Sequence, residues 1–307
     1  MSFGNLQNLQ WLNANRNLLG NHSVDDLSFL SSLTNCSQLG MLDVSYNLLG
    51  GELPNSITNL TTQLTWLQLG GNFIGGRIPM QISNLASLTQ LGLQQNFLTG
   101  NIPASIGKLS NLNRLYLGGN KFTGEIPFSV GNMTRLLHLY LYNNSLEGSI
   151  PTSLGTCRFL QDVRFCHNKL NGTIPKQLLG LPALSIVLNM SHNSLTGPLP
   201  PEVGNLKSLV TLDLSYNKFS KEIPRELNDC LALEILDQSV LNEEGETKNM
   251  VTCWSDWTSE EIECLILVFH IGLACSAESP RDRMDMTRVS LELLSIRDKL
   301  IGNRTHE

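Results

Sequence analysis

The sequence predicts an α/β solenoid: a right-handed curved superhelix with a parallel β-sheet on its concave side, short 3-10 or helical segments on its convex side, and a short α-helical C-terminal tail. Three observations predict this fold. Asparagine recurs in register along the chain, an alternating "LxL" phrase precedes each of these asparagines, and a "GxIP" phrase follows most of them. A fixed period of this kind is the signature of stacked repeats that bury their apolar faces against one another.

The period of the repeat is 24 residues. The recurrent asparagines stand 24 residues apart from Asn72 to Asn168, and each unit reads "LxxLxxLxLxxNxLxGxIP". Two steps of 25 residues each contain one extra residue, a Thr in "NLTTQL" and a Val in "LSIVLNM". We therefore expect about nine to ten units over residues 1–237, with no cap at either end of the array.

The "LxL" phrase of each unit predicts a short strand. Its leucines point inward and the residues between them point outward, because side chains alternate along a strand. Glycine is expected at the turn position before each proline. The turn glycines are Gly51, Gly76, Gly100, Gly124, Gly148, Gly172 and Gly197. At the next expected position the residue is Lys221, which breaks the pattern.

The first step, from Asn17 to the next recurrent asparagine, is 30 residues long and contains an insertion, "SVDDLSFLSSL". Ser23 is a candidate helix N-cap, with Asp26 three residues later in the manner of a capping box. Three leucines follow at helical spacing and predict one buried face. They are Leu27, Leu30 and Leu33.

The recurrent asparagines predict a structural ladder of hydrogen bonds. A buried amide is acceptable only when it is hydrogen bonded, so each asparagine is expected to bind turn backbone groups of the neighbouring unit. Replacing Asn120 with alanine is then expected to cost roughly 1–3 kcal/mol of stability. The ladder residues are Asn47, Asn72, Asn96, Asn120, Asn144, Asn168, Asn193 and Asn217.

The outward strand positions form the candidate ligand-binding surface on the concave face. Tyrosine, arginine and tryptophan on adjacent strands match the composition of binding hot spots. The alternative is that solvent-facing strand positions are polar or aromatic without binding anything. Because Tyr140 is expected to be exposed, Tyr140→Ala is expected to change stability little. The candidate residues are Trp66, Gln68, Gln90, Gln94, Arg114, Tyr116, His138, Tyr140, Tyr142, Asp162 and Arg164.

Candidate N-glycosylation sites follow the Asn-x-Ser/Thr pattern. Asn143 borders the tyrosines, where a glycan would crowd a ligand. Asn189 is predicted to lie in the middle of a strand, where a glycan would close off the concave face. The candidates are Asn21, Asn35, Asn59, Asn132, Asn143, Asn171 and Asn189, with Asn303 in the tail.

Composition excludes several classes of function. The net charge of −6 argues against a nucleic-acid partner, which requires a basic surface. The longest apolar run, "CLILVFHIGLAC", is too short to span a membrane, and "MSFGNLQNLQ" lacks the features of a secretory signal. Seven cysteines without a CxxC pair are expected to be mainly buried thiols, and we expect neither a metal site nor a cofactor.

The 24-residue unit with its "LxGxIP" phrase resembles the repeats of plant leucine-rich-repeat receptor-like Ser/Thr kinases. "DDLSFLSSLTNCSQL", "ASIGKLSNLNRLYL" and "TSLGTCRFLQ" further resemble the immune-receptor subfamily that senses microbial proteins. The resemblance implies a plasma-membrane receptor with extracellular repeats, one transmembrane helix and a cytoplasmic kinase. It also implies a peptide or protein ligand and, as a second partner, a co-receptor with a leucine-rich-repeat ectodomain.

The repeat pattern is lost where Leu241 stands in place of a ladder asparagine. We expect a junction over residues 238–257 and two helices within residues 258–307, loosely attached or docked on the last repeat as a cap. "IGLACSAESPRDRMDM" and "LLSIRDKL" resemble the last two helices of the receptors' kinase domain, with Arg283 at the position that pairs with an A-P-E glutamate. The chain has no A-P-E, glycine-rich phosphate loop, V-A-I-K lysine, H-R-D or D-F-G.

These patterns together predict a non-catalytic recognition module, a truncated receptor ectodomain joined to a kinase remnant. Phosphoryl transfer needs a phosphate-binding lysine, a metal-holding aspartate and a base, so no nucleotide chemistry is expected. Three alternatives remain open: a non-functional receptor-kinase fragment, a Ser/Thr kinase by resemblance alone, and a secreted inhibitor of cell-wall hydrolases. The inhibitors share the repeat type but normally have cysteine-rich caps, which this sequence does not contain.

Overall fold

A computed structural model of the protein describes Phe3 and residues 5–233. The predicted junction and the two predicted tail helices lie outside the described residues. Within the described part the chain forms fifteen short strands, numbered in chain order. They are β1 (Trp11–Asn13), β2 (Met41–Asp43), β3 (Trp66–Gln68), β4 (Gln90–Gly92), β5 (Thr99–Asn101), β6 (Arg114–Tyr116), β7 (Lys121–Glu125), β8 (His138–Tyr140), β9 (Ser145–Ser149), β10 (Asp162–Arg164), β11 (Lys169–Gly172), β12 (Val187–Asn189), β13 (Ser194–Gly197), β14 (Thr211–Asp213) and β15 (Lys218–Phe219).

The strands form two parallel sheets that run along the stack of repeats. The nine-stranded sheet has the order β1-β2-β3-β4-β6-β8-β10-β12-β14, with one strand from each "LxL" phrase. The predicted solenoid with a parallel sheet is therefore confirmed. Because all repeats have the same register, leucine pairs with leucine across the sheet, as in Leu67 with Leu91 and Leu91 with Leu115.

The second sheet, of order β15-β13-β11-β9-β7-β5, was not predicted. Its strands lie just after the ladder asparagines, in the "xLxGx" part of the repeat. In β7 the inward residue is Phe122, which is fully buried, while Lys121 and Thr123 on either side are exposed. The alternation is only two or three residues long, which is why the sequence suggested a turn rather than a strand.

The side opposite the nine-stranded sheet carries short helices, as predicted. Each begins immediately after a proline in extended conformation, which fits proline's fixed φ and missing N–H donor. Among the helices that follow a proline, one is α-helical, α2 (Lys176–Leu179), and the others are 3-10 helices. The 3-10 helices are Asn55–Asn59, Met80–Asn84, Ala104–Lys108, Phe128–Asn132, Thr152–Thr156, Pro201–Asn205 and Arg225–Asp229.

The hydrophobic core lies between the sheets and these helices. The inward leucines of the strands, including Leu67, Leu115 and Leu139, have no exposed surface. Each such leucine contributes about 1.5–3 kcal/mol when it is removed from water. One continuous cluster of buried residues extends from Leu27 to Cys230, so the repeats stabilise one another through their neighbours.

The insertion in the first long step forms a helix, but one that begins later than Ser23. Helix α1 covers Phe29–Leu33, and residues 24–28 form turns. The three predicted leucines, Leu27, Leu30 and Leu33, are all buried on one side. The hydrophobic pattern therefore predicted the buried face correctly, although the capping pattern did not predict where the helix begins.

The Asp26 carboxylate explains the late start of α1. Its Oδ2 accepts hydrogen bonds from the backbone N–H groups of Ser23 at 2.9 Å, Asn21 at 3.1 Å and Gly50 at 2.9 Å. Burial acts to raise the pKa of this carboxyl, but the three backbone donors and the adjacent His22 outweigh it and leave the pKa lowered. Through the hydrogen bond from Gly50, Asp26 links the insertion to the next repeat.

The ladder asparagines bind both their own repeat and the preceding one. Asn96 Oδ1 accepts from the N–H of Ile74 at 3.0 Å, and its Nδ2 donates to the carbonyls of Leu69 at 3.0 Å and Leu93 at 3.2 Å. The same bonds recur at the other ladder positions from Asn72 to Asn217. Only three of the eight amides are fully buried and the others are half-buried. The buried ones are Asn47, Asn72 and Asn96.

The turn position of the repeat has a left-handed backbone conformation. The seven turn glycines have φ between 73° and 87°, and Lys221 at the equivalent position has φ 71°. An L-residue pays roughly 1–2 kcal/mol for this conformation, whereas glycine does not. The break in the sequence pattern at Lys221 is therefore a point of backbone strain.

We expect Lys221→Gly to stabilise the final described repeats. Glycine removes the free-energy cost that an L-residue pays for the left-handed conformation. This gain is larger than the extra entropic cost of ordering a glycine on folding, so the free energy of unfolding rises by about 0.5–1 kcal/mol. Hydrogen exchange of the amides in β14 and β15 measures it. Lys221→Ala is the control, because alanine keeps the β-carbon and should give no gain. Equal protection in both variants would contradict the prediction.

Three cysteines, Cys36, Cys157 and Cys230, are free and buried, as expected. Burial raises the pKa of the Cys157 thiol to about 11. Cys166 is buried as well. Among the described residues no helix has the length and apolar character needed to cross a membrane.

Candidate ligand-binding face

The candidate residues lie on the outer face of the nine-stranded sheet, which is the face turned away from the leucine core. Parallel register places them in two rows across the strands. Arg114, His138 and Asp162 pair in one row, following Trp66 and Gln90. The other row begins with Gln68 and Gly92 and continues through Tyr116, Tyr140 and Arg164.

The centre of the outer face is a hydrogen-bonded ion pair. Arg164 donates from Nε to Asp162 Oδ1 at 3.0 Å and from Nη2 to Oδ2 at 2.9 Å, and both residues are buried. The Tyr140 hydroxyl donates to the same Oδ2 at 2.6 Å. The Arg164 guanidinium lies 4.6 Å from the centre of the Tyr140 ring. These contacts hold Tyr140 in one orientation.

Further aromatic rings pack around this centre. Tyr116 and Tyr140 stack with ring centres 4.7 Å apart. His138 meets both tyrosine rings edge-on, and its Nδ1 is 3.3 Å from the Tyr140 hydroxyl. We name Tyr116, His138, Tyr140, Asp162 and Arg164 the aromatic cluster. It presents ring faces and edges at positions fixed by the sheet.

The expectation that Tyr140 is simply exposed is wrong, because its side chain is half-buried. Several other outward residues are fully buried although they point away from the core. The reason is lateral packing: strands in a sheet are about 4.8 Å apart, so long side chains lie across their neighbours. Tyr140→Ala is therefore expected to lower stability as well as binding. The buried outward residues are Gln68, Gln90, Tyr142, Asp162 and Arg164.

Glycines on neighbouring strands give these side chains room to lie flat. A β-carbon on Gly118 would stand 2.5 Å from the Tyr142 ring, so that ring occupies the space beside the glycine. Gln68 lies against Gly92 and Gln94 against Gly70 in the same way. Gly70 and Gly118 are outward-facing by their register, but they are not among the residues that the sequence predicted for this surface.

The cluster is largely neutral apart from its ion pair. Burial and the Asp162 carboxylate raise the pKa of Tyr140 well above its ordinary range, and burial raises that of Tyr116. Burial opposes the charge of Arg164, but the hydrogen bonds and charge of Asp162 outweigh it and raise the pKa of the guanidinium. The tyrosines are therefore hydrogen-bonding aromatic groups at neutral pH. Among the described residues no three His, Cys, Asp or Glu side chains are grouped to hold a metal.

His138 makes the stability of this face depend on pH. Burial lowers its pKa and so do Arg114 and Arg164, while Asp162 acts to raise it; the net shift is downward. The folded protein then binds fewer protons than the unfolded chain just below the ordinary pKa of about 6.5, so stability is lost as the pH falls below that value.

We expect wild-type stability to fall more steeply than that of His138→Gln between about pH 7 and pH 5. Urea unfolding at several pH values measures the difference, and an NMR titration of the His138 ring gives the folded-state pKa directly. Parallel pH profiles, or a titration at or above the ordinary value, would show that the ring is not desolvated as described.

The glycosylation candidates divide by exposure. Asn189 is 3 % exposed, and its Oδ1 accepts hydrogen bonds from the N–H and hydroxyl of Ser191. A glycan does not fit this packing, so Asn189 is the candidate that the structure favours least. The other described candidates are exposed, and Asn143 borders the aromatic cluster through Tyr142. The exposed candidates are Asn21, Asn35, Asn59, Asn132, Asn143 and Asn171.

A column of stacked rings beside this face was not predicted. The rings of His167 and His192 are 4.1 Å apart, and so are those of His192 and Tyr216. All three residues have left-handed φ angles, and each stands directly before a ladder asparagine. The register of the ladder was the signal that could have placed the three rings in one column.

Comparison with known proteins agrees with this architecture. The sequence model of the Leucine Rich Repeat family matches residues 38–60, 87–109, 111–133, 135–157, 186–206 and 208–230. These segments coincide with the repeats formed by the strands and 3-10 helices. Residues 5–233 fold as a leucine-rich-repeat solenoid.

Its curated homologues are plant leucine-rich-repeat receptor-like kinases. One is the LRR receptor-like serine/threonine-protein kinase EFR of Arabidopsis thaliana, 51% identical over 88 residues, which are 29% of this chain and 8% of EFR. Another is receptor kinase-like protein Xa21 of Oryza sativa subsp. japonica, 50% identical over 64 residues, which are 21% of this chain and 6% of Xa21. The matched segments thus span less than a tenth of these relatives.

Solved plant receptor ectodomains have the same fold. The ectodomain of GASSHO1/SCHENGEN3 from Arabidopsis thaliana, solved in complex with CASPARIAN STRIP INTEGRITY FACTOR 2, superimposes with a TM-score of 0.71 at 33% identity, covering 75% of this chain and 27% of that one. The plant peptide hormone receptor RGFR1, solved in complex with RGF2, gives a TM-score of 0.54 at 32% identity, covering 75% of this chain and 43% of RGFR1.

Proposed function

We propose that the repeats form a non-catalytic recognition module that binds a peptide or protein segment on the outer face of the nine-stranded sheet. The observation that carries this proposal is the aromatic cluster. In this cluster Tyr116 stacks on Tyr140, and Tyr140 contacts both members of a buried ion pair. Its hydroxyl donates a hydrogen bond to Asp162, and its ring lies under the Arg164 guanidinium.

The cluster suits binding because it is organised before a ligand arrives. Tyrosine and arginine are enriched at binding hot spots, and tyrosine offers a large contact area with little side-chain entropy to lose. Arg114 adds a half-buried cation beside the rings, and its Nη1 donates to Gln90 Oε1 at 3.3 Å. A surface whose rotamers are fixed by its own hydrogen bonds loses less entropy when it binds.

The ligand class is supported by the structural neighbours. RGFR1 is a plant peptide hormone receptor, and GASSHO1/SCHENGEN3 was solved in complex with CASPARIAN STRIP INTEGRITY FACTOR 2. By the immune-receptor resemblance of the repeats, we place the role in defence signalling, with the repeats outside the plasma membrane. A leucine-rich-repeat co-receptor is the second partner that this role requires. We assign no phosphoryl transfer to the chain.

Selection of a random linear peptide library on the full chain tests the proposal. We expect enriched peptides to bind, and Tyr116→Ala to raise their Kd at least about tenfold, as loss of a hot-spot side chain does. Phe128→Ala is the matched control, because Phe128 is an exposed aromatic residue in a 3-10 helix away from the outer face. It should leave the Kd unchanged.

Two results would contradict the proposed function. One is a library that yields no peptide above the level retained by a scrambled sequence. The other is a set of peptides whose Kd changes with Phe128→Ala and is indifferent to Tyr116→Ala. The urea midpoint of each variant is measured alongside, so that a loss of binding is assigned to the surface and is not confused with unfolding.

A further inference from the structure

Two glutamines and two glycines form a crossed pair on the outer face, between β3 and the end of β4. Gln68 pairs in register with Gly92, and its side chain lies across that glycine: a β-carbon at Gly92 would stand 1.8 Å from Gln68 Oε1. Gln94 lies across Gly70 in the opposite direction, where a β-carbon would stand 2.5 Å from Gln94 Cδ. Each glutamine therefore rests in space that only a glycine leaves open.

Backbone geometry does not explain these two glycines. Gly71, the next residue, has a left-handed φ of 65°, but neither Gly70 nor Gly92 has a positive φ. Any residue could adopt their conformations. Because glycine has no side chain, it lets another group contact the backbone closely at these positions. That group is either a glutamine side chain or a ligand.

The glutamine amides are not satisfied where they rest. Nε2 of Gln68 and Oε1 of Gln94 are buried without a hydrogen-bond partner within the described part of the protein, and Nε1 of Trp66 beside them is in the same state. Buried polar atoms are nearly always paired, because leaving them unpaired costs stability. The outer face thus holds one acceptor and two donors that have no hydrogen-bond partner among the described residues.

We propose that Gln68 and Gln94 form a subsite for the main chain of an extended peptide. Both side chains rotate off their glycines; Gln68 Nε2 donates to a ligand carbonyl, and Gln94 Oε1 accepts from a ligand N–H. Gly70 and Gly92 then become the bare floor on which the ligand backbone lies. This inference rests on the proposed function, because it names how the same face holds its peptide.

The position and the chemistry both favour a peptide main chain. Gly92 pairs in register with Tyr116, so the subsite is continuous with the aromatic cluster and one extended segment covers both. The two glutamines and two glycines carry no charge, which favours a neutral ligand group over an ion. A peptide unit offers one acceptor and one donor on opposite edges, which complements the Gln68 donor and the Gln94 acceptor.

A ligand without side chains tests the subsite independently of the tyrosines. The probe is N-acetyl-triglycine N′-methylamide, titrated into the full-length ¹⁵N-labelled chain. We expect saturable shifts of the side-chain NH₂ signals of Gln68 and Gln94. Gln81, exposed in the 3-10 helix Met80–Asn84, is the matched control and should not shift. The absence of a saturable shift, or equal shifts at Gln81, would overturn the subsite.

Gln68→Leu separates a binding role from a structural one. It keeps the size of the side chain and removes the unpaired amide, so the urea midpoint should not fall, while the Kd for triglycine should rise at least about tenfold. A lower midpoint, or an unchanged Kd, would overturn the subsite.

Tyr116→Ala distinguishes failure of the subsite from failure of the proposed function. This variant should still bind the triglycine probe, because the probe has no side chain to reach the cluster. Triglycine binding without any library peptide would contradict the proposed function alone. Library peptides that bind while triglycine gives no shift at Gln68 or Gln94 would overturn the subsite alone.

Discussion

Asn96→Ala is expected to destabilise the repeat array by about 3 kcal/mol, the upper end of the cost of leaving a buried polar group unpaired. Asn96 is 5% exposed, and its amide binds one N–H and three carbonyls across two repeats. Alanine leaves all four backbone groups without this partner in a site too closed for water to replace it. The loss should appear as a lower urea midpoint.

The matched control for this prediction is Asn171→Ala. Asn171 is also an asparagine within a sheet strand, β11, but its side chain is exposed, so its replacement should cost less than about 0.5 kcal/mol, as for most surface substitutions. Hydrogen exchange should locate the effect of Asn96→Ala at the Ile74 N–H and in the two repeats it joins. Equal midpoints for the two variants would refute the ladder as a source of stability.

Arg164→Ala is expected to lower stability by about 3 kcal/mol or more, because removing one partner of a buried ion pair leaves the other charge uncompensated. Asp162 is 1% exposed and accepts hydrogen bonds from Nε and Nη2 of Arg164. The substitution also removes the cation that packs on Tyr140, so binding of library-selected peptides should weaken as well. Urea unfolding and peptide affinity are measured on the same preparations.

The double variant Asp162→Leu with Arg164→Met is the decisive control. It replaces the ion pair with apolar side chains of similar volume, a change that often leaves the stability of a protein unaltered. We expect its midpoint to recover most of what Arg164→Ala loses, while peptide affinity stays low because Tyr140 has lost its partner. A double variant at least as unstable as Arg164→Ala would contradict this account of the ion pair.

The repeat architecture was predictable because its signals are local and periodic. Alternation of leucines in "LxL" specified the strands, and the fixed asparagine spacing specified their parallel register. The buried face of α1 followed from Leu27, Leu30 and Leu33 in the same way. Each of these inferences needs only the spacing of residues along the chain and the alternation rules of strands and helices.

Which outward side chains are buried on the outer face was not predictable from one repeat at a time. Whether Tyr140 is exposed depends on Tyr116, 24 residues earlier, and on Asp162 and Arg164 in the following repeat. Gln68 is buried because Gly92 on the next strand leaves room for it. These are lateral contacts between repeats, so they emerge only when neighbouring units are read side by side in register.

The second sheet was missed for a different reason. Its strands share residues with the turn phrase "LxGxIP", and proline and glycine are turn formers. Their presence concealed the short alternation around Phe122. The strands form because each repeat presents the same backbone to the next, so stacking supplies the hydrogen bonds that local propensity alone would not predict.

The central claim is that the outer face, at the aromatic cluster, holds the ligand. NMR of the ring protons of Tyr116, His138 and Tyr140, recorded while a library-selected peptide is added to the full chain, tests it most directly. We predict that all three rings shift and saturate together, while the exposed ring of His22 stays unchanged. A saturating peptide that shifts His22 and leaves the three cluster rings unmoved would place the ligand elsewhere and contradict the account.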